Sequence, residues 1–539
     1  MTTVISIRNR AGWMITCVAC LFATLSSFST GRASATGDQP PGPDRFAVVT
    51  REYTDYVWWL TDWGDNQVAC SLDVDHDGVP THGEVLSSCG KPLFDKWIAT
   101  QSCPSDGTCS GLYLQLIKTV PAQKQVAVSL SPPVVWVSLD GCIPFNSTFK
   151  CDALPTLVLT GEEPMAGEHI TGLVGRMDGR AFTCDAVCQV DLAPTSNNGM
   201  LLEFWANSSY GDSSVLFEAR VRVAASGDPA GPSWFVDVLS TQWRGDPLAG
   251  CSQIWDSFPP VGGLPDWLST PARATDLATK VPYEYLTANM IENGAVDGSV
   301  CGDGGLLDNG TASQCGISIA RNAVTDWQNS FDEIIFTTAQ HTGIPARLLK
   351  SIFSRESQFW PGGSVDHPEA GLGQMTSGGA DTTLLWNQPF FEQFCPSTLT
   401  GTVCDRGYAQ LSAELQDTLQ SALVNSVDAS CPTCDLGIDL DRTRNSVGVF
   451  ANTLIANCEQ AGMIVHNTYG AAAGASASFA DLWRFTLVNY HSGSGCLTLA
   501  IWETKRLGEP LDWSHLSSHF TPVCQRALDY VKYISAASP

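Results

Sequence analysis

The hydrophobic pattern of this chain changes period part-way along, and that change limits its fold more than any other feature. Between about Val126 and Leu239 the apolar residues come in short alternating runs, "VVWVSLD", "TLVLTG", "LLEFWANSS", "VLFEARVRVA" and "WFVDVLS", broken by Pro, Gly and Asn. A period of two with frequent turn residues predicts the strands of a β-sandwich. From Asn322 onward the spacing becomes three and four, as in "NAVTDWQNSFDEIIFTTAQHTG", which predicts amphipathic helices. The two patterns call for separate cores, and 539 residues of which 44% are hydrophobic suffice for about three domains.

The start of the chain points to export. Residues 1–35 contain Arg8 and Arg10, an apolar run from Ala11 to Phe28, and "ASA" ending at Ala35, the layout of a secretory signal with an A-x-A cleavage site. A lipoprotein anchor at Cys20 ranks second, because Cys17 stands where an aliphatic residue is expected. No later stretch reaches the roughly 18 apolar residues of a membrane helix, so no integral membrane segment is expected after cleavage. Removing Cys17 and Cys20 from the 20 cysteines leaves an even number, compatible with full disulfide pairing in a secreted or cell-envelope protein. The formal charge of −26 argues against a nucleic-acid partner.

A small α+β domain is expected over 36–125, where "FAVVTREYTDYVWWLTDWGDNQVACSL" reads as two strands joined by a polar turn. "DVDHDGVPTHGE" follows, and Asp73, Asp75, Asp77, Gly78 and Glu84 match the spacing of a twelve-residue calcium loop. A structural calcium ion is therefore one reading, and an acidic Asx-type surface turn is the other. Cys70 and Cys89 flank the loop and can pin its ends. The sandwich, Ig-like in its strand spacing, is expected over 126–245, with Trp136, Trp205, Trp234 and Trp243 read as core aromatics ahead of a carbohydrate platform. A Pro-, Gly- and Cys-containing connector is expected over 246–320, and a helical domain over 321–539 interrupted by a Cys-rich insertion at about 384–440. The Cys431–Cys434 pair reads as a disulfide, with no second ligand pair for zinc.

Within the helical part, "GIPARLLKSIFSRESQFWPGG" places one carboxylate on an apolar stripe. Pro345 suits a helix start and Pro361, Gly362 and Gly363 a stop. Leu348, Leu349, Ile352 and Phe353 form the stripe, which continues to Phe359 and Trp360, and Glu356 lies on it. A carboxyl group among apolar neighbours loses hydration in its charged form, so its pKa rises and it can serve as a general acid. Pairing of Glu356 with Arg347 or Arg355 is the structural alternative.

Two further stretches follow in order, "EAGLGQM" at 369–375 and "LVNYHSGSG" at 487–495. Together E-S-x-F, G-L-x-Q and a Tyr before a small-residue turn resemble the lysozyme-like domain of soluble lytic transglycosylases and goose-type lysozymes, over roughly residues 325–510. The resemblance implies a mainly α fold, Glu356 as catalytic acid, and Ser357, Gln374 and Tyr490 as substrate-binding residues. It implies cleavage of the β-1,4 bond between N-acetylmuramic acid and N-acetylglucosamine in peptidoglycan strands, with 1,6-anhydromuramyl products and no catalytic cofactor. Gly373 departs from the family's usual Met and His491 from its usual Asn. Hydrolysis remains open, with Asp366, Glu369 and Asp381 as candidate bases, although Thr376 stands where goose-type enzymes tend to have Asp. A non-catalytic wall-binding module is the third reading.

Overall fold

The stretch "FAVVTREYTDYVWWLTD", dense in β-branched and aromatic residues, forms β1 (Phe46–Asp62). The structure, a computed structural model, describes residues 40–100, 110–227, 233–245, 250–362 and 369–536; the leader expected over 1–35 and the candidate base Asp366 lie outside them. After β1 the chain reverses at Asn66, which takes a left-handed backbone with φ of 54°. It continues as β2 (Val68–Val74) and α1 (His82–Ile98), the latter broken at Gly90. β3 (Leu112–Ser129) completes an antiparallel three-stranded sheet in the order β2-β1-β3. Val85 of α1 packs with Leu60, Leu72, Val74 and Leu112, and the Cys70–Cys89 disulfide ties helix to sheet. The boundary expected at 125/126 falls inside β3. Val126, read as opening the next domain, pairs with Val49 of β1, so ladder hydrogen bonds outweigh the local pattern there.

The second sheet contains β4 (Val134–Phe145), β5 (Thr148–Glu162), β6 (Ile170–Met177) and β7 (Arg180–Cys184), then β8 (Val187–Asp191), β9 (Met200–Ser208), β10 (Phe217–Ala225) and β11 (Trp234–Leu239). Its eight strands run β4-β5-β11-β10-β9-β6-β7, with β8 also paired to β5. The alternating apolar residues share one core, in which Leu157 and Leu159 meet Leu173, Leu202 and Phe204. Trp205 is buried, and Trp234 and Trp243 pack against the core, so these tryptophans form no shared sugar platform. Trp136 instead donates to Glu162 and lies under Arg244.

A mostly helical region follows. Residues 250–320 carry α2 (Ser252–Trp255), α3 (Glu284–Glu292) and the start of α4 (Gln314–Asn329). They were expected to form a connector, but Trp255, Trp267, Leu268 and Leu286 are buried in the same core as the later helices. With no core of its own, this segment buries its apolar residues there, and the Cys251–Cys458 disulfide fastens it. The remaining helices are α5 (Asp332–Thr342), α6 (Ala346–Glu356), α7 (Ser377–Trp386), α8 (Gln388–Phe394), α9 (Gly401–Cys404) and α10 (Ala413–Val427). They continue as α11 (Leu440–Tyr469), α12 (Ala473–Ser476), α13 (Phe479–Leu507), α14 (Trp513–Ser518) and α15 (Arg526–Ala536). The expected insertion begins inside α7, and its Leu419, Leu423 and Val427 also join the common core. Eight disulfides pair every described cysteine. No described helix is long and apolar enough to cross a membrane.

Candidate active site

Helix α6 buries Leu348, Leu349, Ile352 and Phe353 and ends at Glu356. The expected helix ran on towards Pro361, but Gln358 (φ 49°) and Phe359 (φ 65°) take left-handed backbones and end it sooner. That turn lets Phe359 enter the core while the Phe359 carbonyl accepts from Trp327 Nε1 at 2.8 Å. Lys350, 1% exposed on the same helix, donates from Nζ to the Leu277 carbonyl and Asn329 Oδ1, each at 2.8 Å, and to buried Asp332. These contacts fix the register of α6 against α5 and so fix where Glu356 stands.

The G-L-G-Q segment closes a tight turn, with Ala370 and Met375 bridged by hydrogen bonds of 3.0 and 2.7 Å. Gly371 and Gln374 both adopt positive φ, at 74° and 52°, and Gln374 Nε2 donates to the Gly371 carbonyl at 2.9 Å. Two side chains clamp this turn. Ser357 Oγ donates to the Leu372 carbonyl at 2.8 Å, and the Tyr490 hydroxyl donates to the Gly373 carbonyl at 2.6 Å. Ser357, expected as a substrate-binding residue, is only 3% exposed and is not among the residues lining the cleft that holds Glu356; its hydroxyl positions the turn instead. Gly373 follows from the same packing: a Cβ there would stand 2.5 Å from Phe450 Cδ1 and 2.7 Å from the Tyr490 hydroxyl. Tyr490 precedes a break in α13 at Gly493 (φ 79°, ψ 166°), where the small-residue stretch was expected to turn the chain.

Glu356, Gln374 and Tyr490 thus line one cleft of about 460 Å³, together with Glu369, Thr382, Asn489 and His491. Burial pushes the Glu356 carboxyl up to about 7; the Tyr530 hydroxyl beside it works against this, Glu369 adds to it, and Arg355 opposes it. The Tyr530 contact is loose, since that buried hydroxyl completes no full hydrogen bond with any described group. Neither arginine of the structural alternative pairs with Glu356: Arg347 lies 3.5 Å from Asp266, and Arg355 sits over the Tyr533 ring. Burial raises the pKa of Tyr490 and Tyr530, and the nearby Glu356 charge adds to this, so both stay neutral hydroxyls. His491 packs on Tyr530 with the rings tilted and their centroids 4.3 Å apart, and its pKa is lowered by burial and then by Arg355 and Arg526. Of the other candidate bases, Glu369 lines the cleft, whereas Asp381 accepts from Tyr408 at 2.7 Å and Gln420 at 3.0 Å beside the insertion.

No protein-family model, curated protein or solved structure matches the chain.

The calcium-loop carboxylates are not gathered. Asp75 pairs with Lys124 at 2.6 Å, and Glu84 serves a capping box, accepting from the backbone N–H and hydroxyl of Thr81 at 2.8 Å each. His76 Nε2 also reaches Glu84 at 3.0 Å. Among the described residues, the group of metal-ligating types that comes together is Cys301, Asp303 and Cys315, whose sulfurs form a disulfide. Asp73, Asp75, Asp77 and Glu84 therefore do not fit a calcium ion as they stand. Excess chelator should leave the melting midpoint of the full chain unchanged; a drop of several degrees would show that the loop rearranges around an ion bound only by the folded state.

Proposed function

We propose that this chain is a secreted enzyme that cuts peptidoglycan glycan strands, a lytic transglycosylase whose helical region is lysozyme-like and whose β-rich region, with an Ig-like sandwich, is accessory. One observation carries the reading: Glu356, with a pKa near neutrality, shares a cleft with Gln374 and Tyr490, contributed by motifs far apart in sequence. Glu356 in its protonated form donates to the oxygen of the β-1,4 bond between N-acetylmuramic acid and N-acetylglucosamine. As carboxylate it then takes the proton from the muramyl C6 hydroxyl while that oxygen bonds to C1, so one group performs both transfers. The substrate's acetamido group stabilises the oxocarbenium-like centre, and no cofactor takes part. Tyr490 holds the Gly373 carbonyl, and with it the Gln374 turn, against the sugar face.

Hydrolysis is the second reading, favoured by Glu369 on the same cleft wall, since an inverting hydrolase needs a second carboxylate to activate water. Mass spectrometry of purified peptidoglycan after incubation with the protein separates the two. Anhydromuramyl ends are expected, reducing ends favour hydrolysis, and intact strands refute both.

A further inference from the structure

The insertion carries a larger hollow, about 620 Å³, bounded by α7, α8 and residues 401–410. It adjoins the cleft through one helix face. Gly378 and Thr382 line the cleft, and Leu385, 41% exposed, lines the hollow. Residues at i, i+4 and i+7 share a face of a helix, so the surface runs about 10 Å along α7 from one site to the other. Gly378 leaves that path open, because a Cβ there would meet only the Thr376 hydroxyl at 3.8 Å. The hollow is also held in shape: Cys395–Cys404 closes one wall, and the Tyr408 and Gln420 bonds to Asp381 fasten another to α7.

The charges on its walls differ in kind from those of a neutral-sugar subsite. Arg406 lines the hollow, is exposed, and makes no side-chain ion pair or hydrogen bond to any described residue. In a chain of formal charge −26, such a cation is a specific attractor for a carboxylate. Glu392 and Asp405 stand on the same walls and suit an amine. Uncharged sugar hydroxyls need neither sign, whereas the peptide stem of peptidoglycan carries both and hangs from a sugar that the cleft would hold.

We propose that the hollow binds the peptide stem of the strand being cut, with Arg406 on a stem carboxylate and Glu392 on its amine. This rests on the glycan-cleaving reading of the cleft. The test compares the full chain and Arg406→Gln on stem-bearing glycan strands and on the same strands stripped of peptide by an amidase. On stem-bearing strands KM should rise roughly three- to tenfold with kcat little changed, the effect of one charge-assisted contact at a partly exposed site, and on stripped strands neither should change. Glu392→Gln should shift KM with the same substrate dependence. Equal losses on both substrates, or none on either, overturn the proposal while leaving the cleft reading intact. Wild-type protein that cuts neither kind of strand overturns both.

Discussion

Glu356→Gln should lose at least about two orders of magnitude in glycan cleavage while the chain stays folded. Gln keeps the shape and a hydrogen-bonding group but has no transferable proton. The stability consequence has a definite sign. The carboxyl titrates at about 7 in the folded chain against an ordinary 4.5, because burial disfavours its charge. Between those values the folded state keeps a proton that the unfolded chain releases. Its contribution is therefore intact below about 4.5, falls as pH rises, and is lost above about 7. The Gln variant should match wild type at pH 4 and exceed it at pH 8 by up to roughly 3 kcal/mol. A structural carboxylate predicts the reverse, lower stability at alkaline pH with cleavage retained in proportion to folded protein.

Lys350→Met should have the largest effect on stability, roughly 3–5 kcal/mol, because it leaves Asp332 charged and buried without its partner. Burial already pushes the Asp332 pKa up and the Lys350 pKa down, and only their pairing, with the Leu277 carbonyl and Asn329, offsets that penalty. Replacing both, as Lys350→Met with Asp332→Leu, should recover much of the loss, since two apolar groups need no compensation. Urea unfolding of the single and double variants measures this. A single variant within about 0.5 kcal/mol of wild type would show that Lys350 is not what anchors α6.

The parts of the site that were legible in sequence are those where local pattern and local chemistry agree. Glu356 could be read because it interrupts an apolar helical stripe, and Gln374 and Tyr490 because the G-L-x-Q and Tyr-plus-small-residue motifs around them resemble those of a known family. Tyr530 and Lys350 were missed for the opposite reason. Each looks like an ordinary residue of an amphipathic helix, and only tertiary packing brings one beside Glu356 and the other onto Asp332. Ser357 was assigned to substrate on its place in a motif, yet its hydroxyl is spent on backbone carbonyls. The acidic loop contained its own counter-signal: Thr81-x-x-Glu84 is a capping-box pattern, and here the Glu84 carboxylate caps the helix. The domain boundary expected at 125/126 falls inside β3, and the expected connector joins the helical core, because strand pairing and a shared core extend past changes in composition.

The most direct test of the central claim is the pH dependence of kcat/KM for glycan cleavage by the wild-type chain, with Glu356→Gln measured on the same substrate. If Glu356 acts as the protonated acid, kcat/KM should fall about tenfold per pH unit above about 7, with a limb absent from the residual activity of the variant. A rate that runs level through pH 7 to 9, or a descending limb that survives in Glu356→Gln, would contradict it.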